Sequence, residues 1–132
     1  MNRPNYVRNL LAIVLAILLH NGLSAQMINV WQGGEPGHET DWNYSKNWSR
    51  NKTPDVFDIA IIPNVSTSTR HYPVISSGEV EVLGLEIQQE ATLTLKKSAH
   101  ILMETFICNG TCVGCSSRIL IENADSPQTV QR

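Results

Sequence analysis

The sequence predicts an all-β domain, a short parallel β-helix or β-solenoid stack closed by a tryptophan-rich amino-terminal cap, with a small β-sandwich as the alternative. Three observations carry this. Leu85, Leu93 and Ile101 recur eight residues apart, as do Ile87, Leu95 and Met103, and each pair lies in a short alternation: Leu85-Glu86-Ile87, Leu93-Thr94-Leu95, Ile101-Leu102-Met103. In a strand such a pair points to one side. Polar runs, Gln88 to Ala91 and Lys96 to His100, separate the pairs and read as turns, so stacked units would bury each apolar pair against the next. Finally, Trp31, Trp42, Tyr44 and Trp48 crowd into one Asn-rich and Ser-rich stretch with little helix-forming character.

Taken in order, residues 1–25 have the layout of a secretory signal peptide: Arg3 and Arg8 without an acid, ten apolar residues from Leu10 to Leu19, then small residues ending at Ala25. Ten apolar residues fall short of the ~20 that span a bilayer. Cleavage after Ala25 or after Ser24 leaves a chain of one domain's length, with no membrane span after cleavage and no amino-terminal cysteine to accept a lipid. Without the leader, 8 Lys and Arg stand against 12 Asp and Glu, a net charge of −4. The charges are interspersed, which argues against nucleic acid or a polyanion as partner.

The expected β domain spans 26–122, with the cap at 26–54, the stacked strands at 55–122 and a polar tail at 123–132. Gln26 to Trp31 reads as a strand and Gly33-Gly34 as a turn accepting positive φ. Asp41 is placed to cap a single helical turn through Ser45. From Asp55 to Pro63 the alternation separates Asp58, Ala60 and Ile62 from Phe57, Ile59 and Ile61, and the wholly apolar second set is expected to face the core. His71 to Ile75 reads as a short edge strand, Ser76-Ser77-Gly78 as a turn, and Asn109-Gly110 as a turn between Phe106-Ile107-Cys108 and the segment ending in Arg118 to Glu122.

Trp31-x-Gly33, Asp41-Trp42-Asn43, Asn47-Trp48-Ser49, Pro54, Asp58-x-Ala60-Ile61-Ile62-Pro63, Tyr72-Pro73-Val74-Ile75 and the Leu85 to Leu95 run together resemble the amino-terminal segment of large secreted and cell-surface repeat proteins of Bacteroidetes bacteria. The resemblance covers roughly Val30 to Leu95. It implies a leader into β-helix-like or adhesin repeats, a location outside the outer membrane, and a structural or adhesive role without catalysis, in a stand-alone relative or a fragment of a larger surface protein. Glycans or other surface proteins are the partners such a role implies. Open strand edges add self-association.

Other chemistry competes for the same residues. Trp31, Trp42, Tyr44 and Trp48, with Asn43, Asp41 and Asn47 beside them, have the composition of a carbohydrate-binding face, in which aromatic rings stack on sugars and amides bind hydroxyls. The competing reading is a core plug. Cys108-x3-Cys112-x2-Cys115 has the spacing of a radical-enzyme iron–sulfur loop, and His100 is a conceivable fourth ligand for zinc. An exported chain of this size, with no cofactor strand after Cys115, points instead to plain thiols or one disulfide, either Cys112 with Cys115 or Cys108 with Cys115, with no metal and no cofactor. Asp55, Asp58, Glu79, Glu81 and Glu86 are scattered over strand faces, unlike a calcium loop or the facing carboxyls of a polysaccharide hydrolase. Asp58 is expected to bond to the Pro54 loop. His38, His71 and His100 stand alone, and no nucleophile elbow is present.

Overall fold

The structure is a computed structural model and describes residues 26–121. The leader, Glu122 and the polar tail lie outside the described residues. Eight strands follow in order: β1 (Met27–Val30), β2 (Asp58–Ile62), β3 (Val74–Glu81), β4 (Gly84–Ile87), β5 (Thr92–Met103), β6 (Thr105–Cys108), β7 (Thr111–Val113) and β8 (Ile119–Ile121), with one 3₁₀ turn at Ser45–Asn47. Sheet one runs β1-β2-β4-β6, and sheet two runs β3-β5-β7, with β8 also on β5. All these pairings are parallel. From β2 to β7 consecutive strands alternate between the sheets, so the chain winds as a β-solenoid rather than folding as a sandwich.

The eight-residue spacing marks the sides of one coil and not successive layers. Leu85 and Ile87 lie on β4, Leu93 and Leu95 on the first half of β5, and Ile101 and Met103 on its second half, all at most 3% exposed. Residues that lie over one another are farther apart in sequence: Ile59 over Gly84, 25 residues on, and Gly84 over Thr105, 21 residues on. Columns of inward side chains result, such as Ala60, Leu85 and Phe106, or Val80, Ile101 and Ile119. An eight-residue unit therefore buries its pair toward the coil axis and stacks on the coil before it.

The two polar runs behave differently. Gln88 to Ala91 is a turn, with Glu90 at φ 63°. Lys96 to Ser98, expected as a turn, stays within β5 and is exposed on the outside of a bend, while Ala99 is fully buried. Ser76-Ser77-Gly78 likewise remains inside β3, which is longer than the edge strand expected at 71–75. A register shift between Ile75 and Ser77 and a φ of 79° at Gly78 bend β3 alongside β5. A corner in a solenoid can be turned without interrupting the ladder when both strands bend together. Local polarity alone does not separate a bend from a break.

The buried face of β2 is the opposite of the one expected. Asp58, Ala60 and Ile62 point inward, and Phe57 is 59% exposed. Parallel registry decides this, because Ala60 and Ile62 sit opposite Leu85 and Ile87, whose direction the apolar pair of β4 sets. Ile59 and Ile61 consequently join an outer ribbon.

Candidate functional site

The cap is built on the first coil by three indoles, each with no exposed surface. Trp48 stands edge-on to both neighbours, with ring centroids 5.1 Å from Trp31 and 4.7 Å from Trp42. Trp31 Nε1 donates to His71 O at 2.7 Å and Trp48 Nε1 to Trp42 O at 2.8 Å. Trp42 Nε1 is the one buried side-chain polar atom without a partner among the described residues. Sixteen buried apolar side chains, the three indoles included, form one continuous core. An indole with no free face cannot stack on a sugar. The structure thus corrects the carbohydrate-platform reading of Trp31, Trp42 and Trp48, because three large side chains are what close the open top of the stack.

Of the residues proposed for that platform, Asp41, Asn43 and Tyr44 reach the surface. Tyr44 lies flat against the half-exposed His38, with centroids 4.0 Å apart and planes 1° apart. The expected helical cap at Asp41 is also corrected. Its Oδ1 accepts from Asn43 N at 2.9 Å, an Asx turn, and the single 3₁₀ turn begins later, at Ser45.

Asn47, which the sequence places among the hydroxyl-binding amides, is fully buried and organises the loop. Its Nδ2 donates to His38 O (2.6 Å) and Asp41 O (3.0 Å), its Oδ1 accepts from Glu35 N (3.1 Å), and its carbonyl accepts from Gln32 N and Gly33 N. Gly33 and Gly34 take φ of 61° and 79°, as the sequence predicts for that turn. Glu39, beside them, has its carboxyl held below the usual range, first by the Gly37 N–H and then by its own.

A second polar group underlies the cap on sheet one. Asn29, fully buried, donates to Lys52 O at 2.7 Å and accepts from Arg50 N at 3.3 Å. Asp58, also buried, accepts from Arg50 Nη1 at 2.5 Å and from Asp55 N at 3.0 Å, which is the loop contact expected of it. Lys52 bonds to Asp55; that contact chiefly lowers the Asp55 carboxyl and raises the Lys52 ammonium. Two anionic groups are thus each matched by a cation, and the arrangement fastens the 49–58 loop to β1 and β2. Sequence reading missed Asn29 and Arg50. Their signal is faint, an Asn at an inward strand position and a basic residue eight before an inward Asp.

The cysteines lie on the last coil. Cys112 and Cys115 form the disulfide across the β7–β8 corner, which decides between the two pairings open in the sequence, and Cys108 is a free, exposed thiol at the end of β6. Among the described residues no group of three or more His, Cys, Asp and Glu side chains is placed to hold a metal ion. Glu79 and Glu81 are exposed on β3, and Glu86 faces outward on β4.

The outer face of sheet one carries Ile28, Ile59, Ile61 and Ile107, with a shallow groove over Gly84 edged by Glu86 and Glu104. Among the described residues no helix is long and apolar enough to cross a membrane. No family model matches the chain, nor does any curated protein or solved structure. Of what the resemblance to surface repeat proteins implied, the parallel β-solenoid is the part that stands on observation.

Proposed function

We propose that this domain is a non-catalytic structural scaffold of an exported, adhesin-like cell-surface protein. The observation that carries the reading is where its chemistry-bearing side chains are spent. Asn29, Asn47 and Asp58 are buried and hold loops to strands, and the tryptophans fill the cap. Two further features support export. The leader layout of residues 1–25 is that of a signal peptide, and a disulfide between Cys112 and Cys115 suits an oxidising compartment.

The test is to express the full chain in a bacterium with two membranes and analyse the product. The expected result is a mass beginning at Gln26 or Ala25, a closed Cys112–Cys115 bridge, protease accessibility on intact cells, and no hydrolysis of a polysaccharide panel. An unprocessed chain retained in the cytoplasm would sink the export reading, and turnover of any polysaccharide would sink the scaffold reading.

A further inference from the structure

Residues 49–53 lie against β1 with no apolar side chain to hold them there. Trp48 and Pro54 on either side are buried, whereas Ser49, Arg50, Asn51 and Lys52 are exposed and Thr53 is half-buried. The contacts that fix the stretch are polar. Ser49 N donates to Val30 O, Val30 N to Ser49 Oγ, Arg50 N to Asn29 Oδ1 and Asn29 Nδ2 to Lys52 O. Trp31 N donates to Ile61 O on β2, and alternation along a parallel strand turns the groups of Val30 to the other side. Residues 49–53 are therefore a strap across the outer edge of β1. Asn51, at its middle, has φ 52°, a left-handed conformation that an Asn takes at a cost and keeps while its flanks are held.

Asp58 on β2 holds those flanks. Its carboxylate, 1% exposed, meets Arg50 Nη1 at 2.5 Å and Lys52 Nζ at 3.6 Å, and its Oδ2 accepts from Asp55 N at 3.0 Å. Lys52 also pairs with Asp55. Among the described residues no ion pair joins these four to any other group. A carboxylate is tolerated in this buried place because two cations and an amide answer its charge. Once neutral, it no longer draws Arg50 and Lys52 to itself.

We infer that residues 49–53 form a strap that the charge on Asp58 keeps shut: acid that neutralises Asp58 and Asp55 frees Arg50 and Lys52, the strap leaves β1, and the backbone of Val30 is uncovered while the core stays closed. The release is local, because buried Trp48 and Pro54 anchor the ends and the strap itself contributes no apolar side chain to the core. The direction follows from Asp55, whose carboxyl is held below the usual range first by Lys52 and then by the Phe57 N–H. That contact favours the shut strap at pH above the ordinary carboxylate range and is lost as pH falls through the lowered value, so the strap is shut at neutral pH and opens in acid. The inference goes beyond the scaffold reading and holds with or without export.

The test uses the full chain in the form the cell leaves it. Amide hydrogen exchange, expressed at each pH relative to the unfolded chain so that the intrinsic rate cancels, compares two neighbours on β1: Val30, whose N–H meets the strap, and Trp31, whose N–H meets β2. Between about pH 6 and about pH 3, a range that crosses carboxylate titration, protection of Val30, Ser49 and Arg50 should fall about tenfold, while that of Trp31 and the indole emission stay as they are. Asp58→Asn keeps an acceptor for the Asp55 amide without the charge, and should show the low strap protection already at about pH 6. If Asp58→Asn does not fold, Lys52→Gln, at an exposed side chain, should fold and move the acid transition of the strap to higher pH. Strap and Trp31 amides that lose protection together, a strap that stays protected until the whole molecule unfolds, or variants that leave the transition where it is in wild type would each overturn the inference.

Discussion

At the scale of single residues, the cap depends on a backbone position with no room for a side chain. Gly33 sits at φ 61°, and a Cβ built there would lie 2.5 Å from His71 O and 2.6 Å from Trp31 Nε1, the two atoms of the bond that fixes the first indole. Gly33→Ala therefore adds left-handed strain to a collision with backbone, and neither can be relieved by rotating a distal side chain. The expected loss is about 2–4 kcal/mol of stability, within the range of large point-mutant effects. Chemical unfolding of wild type and variant measures it, and a change below about 1 kcal/mol would show that the indole bond does not hold the cap. Asn47 shows the limit of reading residues one at a time. An amide between aromatics looks the same in sequence whether it binds a hydroxyl or three backbone groups. Only burial and direction tell them apart.

At the scale of strands, β2 shows how a neighbour settles what local pattern leaves open. Its alternation is plain, but an acid in one set makes the other set look like the core. The cost of burying Asp58 is offset by Arg50 and the Asp55 amide, which come from a loop sequence reading cannot place beside it. Two truncations test the assignment. Ile62→Ala, at a fully buried position, should cost about 2–5 kcal/mol, and Ile61→Ala, on the half-buried outer face, about 1 kcal/mol or less. Denaturant titration of the two variants gives the comparison, and equal or reversed costs would reject the inward face. For β5 the difficulty was of another kind. Lys96-Lys97-Ser98 is polar enough for a turn, yet it continues the strand because β3 bends with it and keeps its ladder bonds.

At the scale of the whole molecule, a solenoid is stabilised by contacts between neighbouring coils, so its stability is distributed along the axis. The cap end has the three indoles and the buried Asn29, Asn47 and Asp58; the far end has half-open columns and the short β7 and β8. Opening should therefore begin at the last coil. Native-state hydrogen exchange is expected to show the greatest protection at inner-ladder amides of β2 and β4 and the least in β7 and β8, with a difference of at least tenfold. Uniform protection across all coils would mean that the molecule opens as a single unit. Breaking the Cys112–Cys115 bridge should widen the gradient, because the bridge restrains the same corner.

The class of the fold, the turns at Gly33-Gly34, Gln88 to Ala91 and Asn109-Gly110, and the tryptophans as a cap were legible from sequence, because each depends on properties a residue carries with it: strand alternation, tolerance of positive φ, and apolar bulk. Which face of β2 is buried, which polar run breaks a strand and which bends it, how many residues make a coil, and what the asparagines bind were decided by tertiary structure alone. The physical reason is common to them all. Each is set by a partner about 20 or more residues away, or by a loop returning across a coil, and a linear pattern records the spacing of side chains but not which coil they meet.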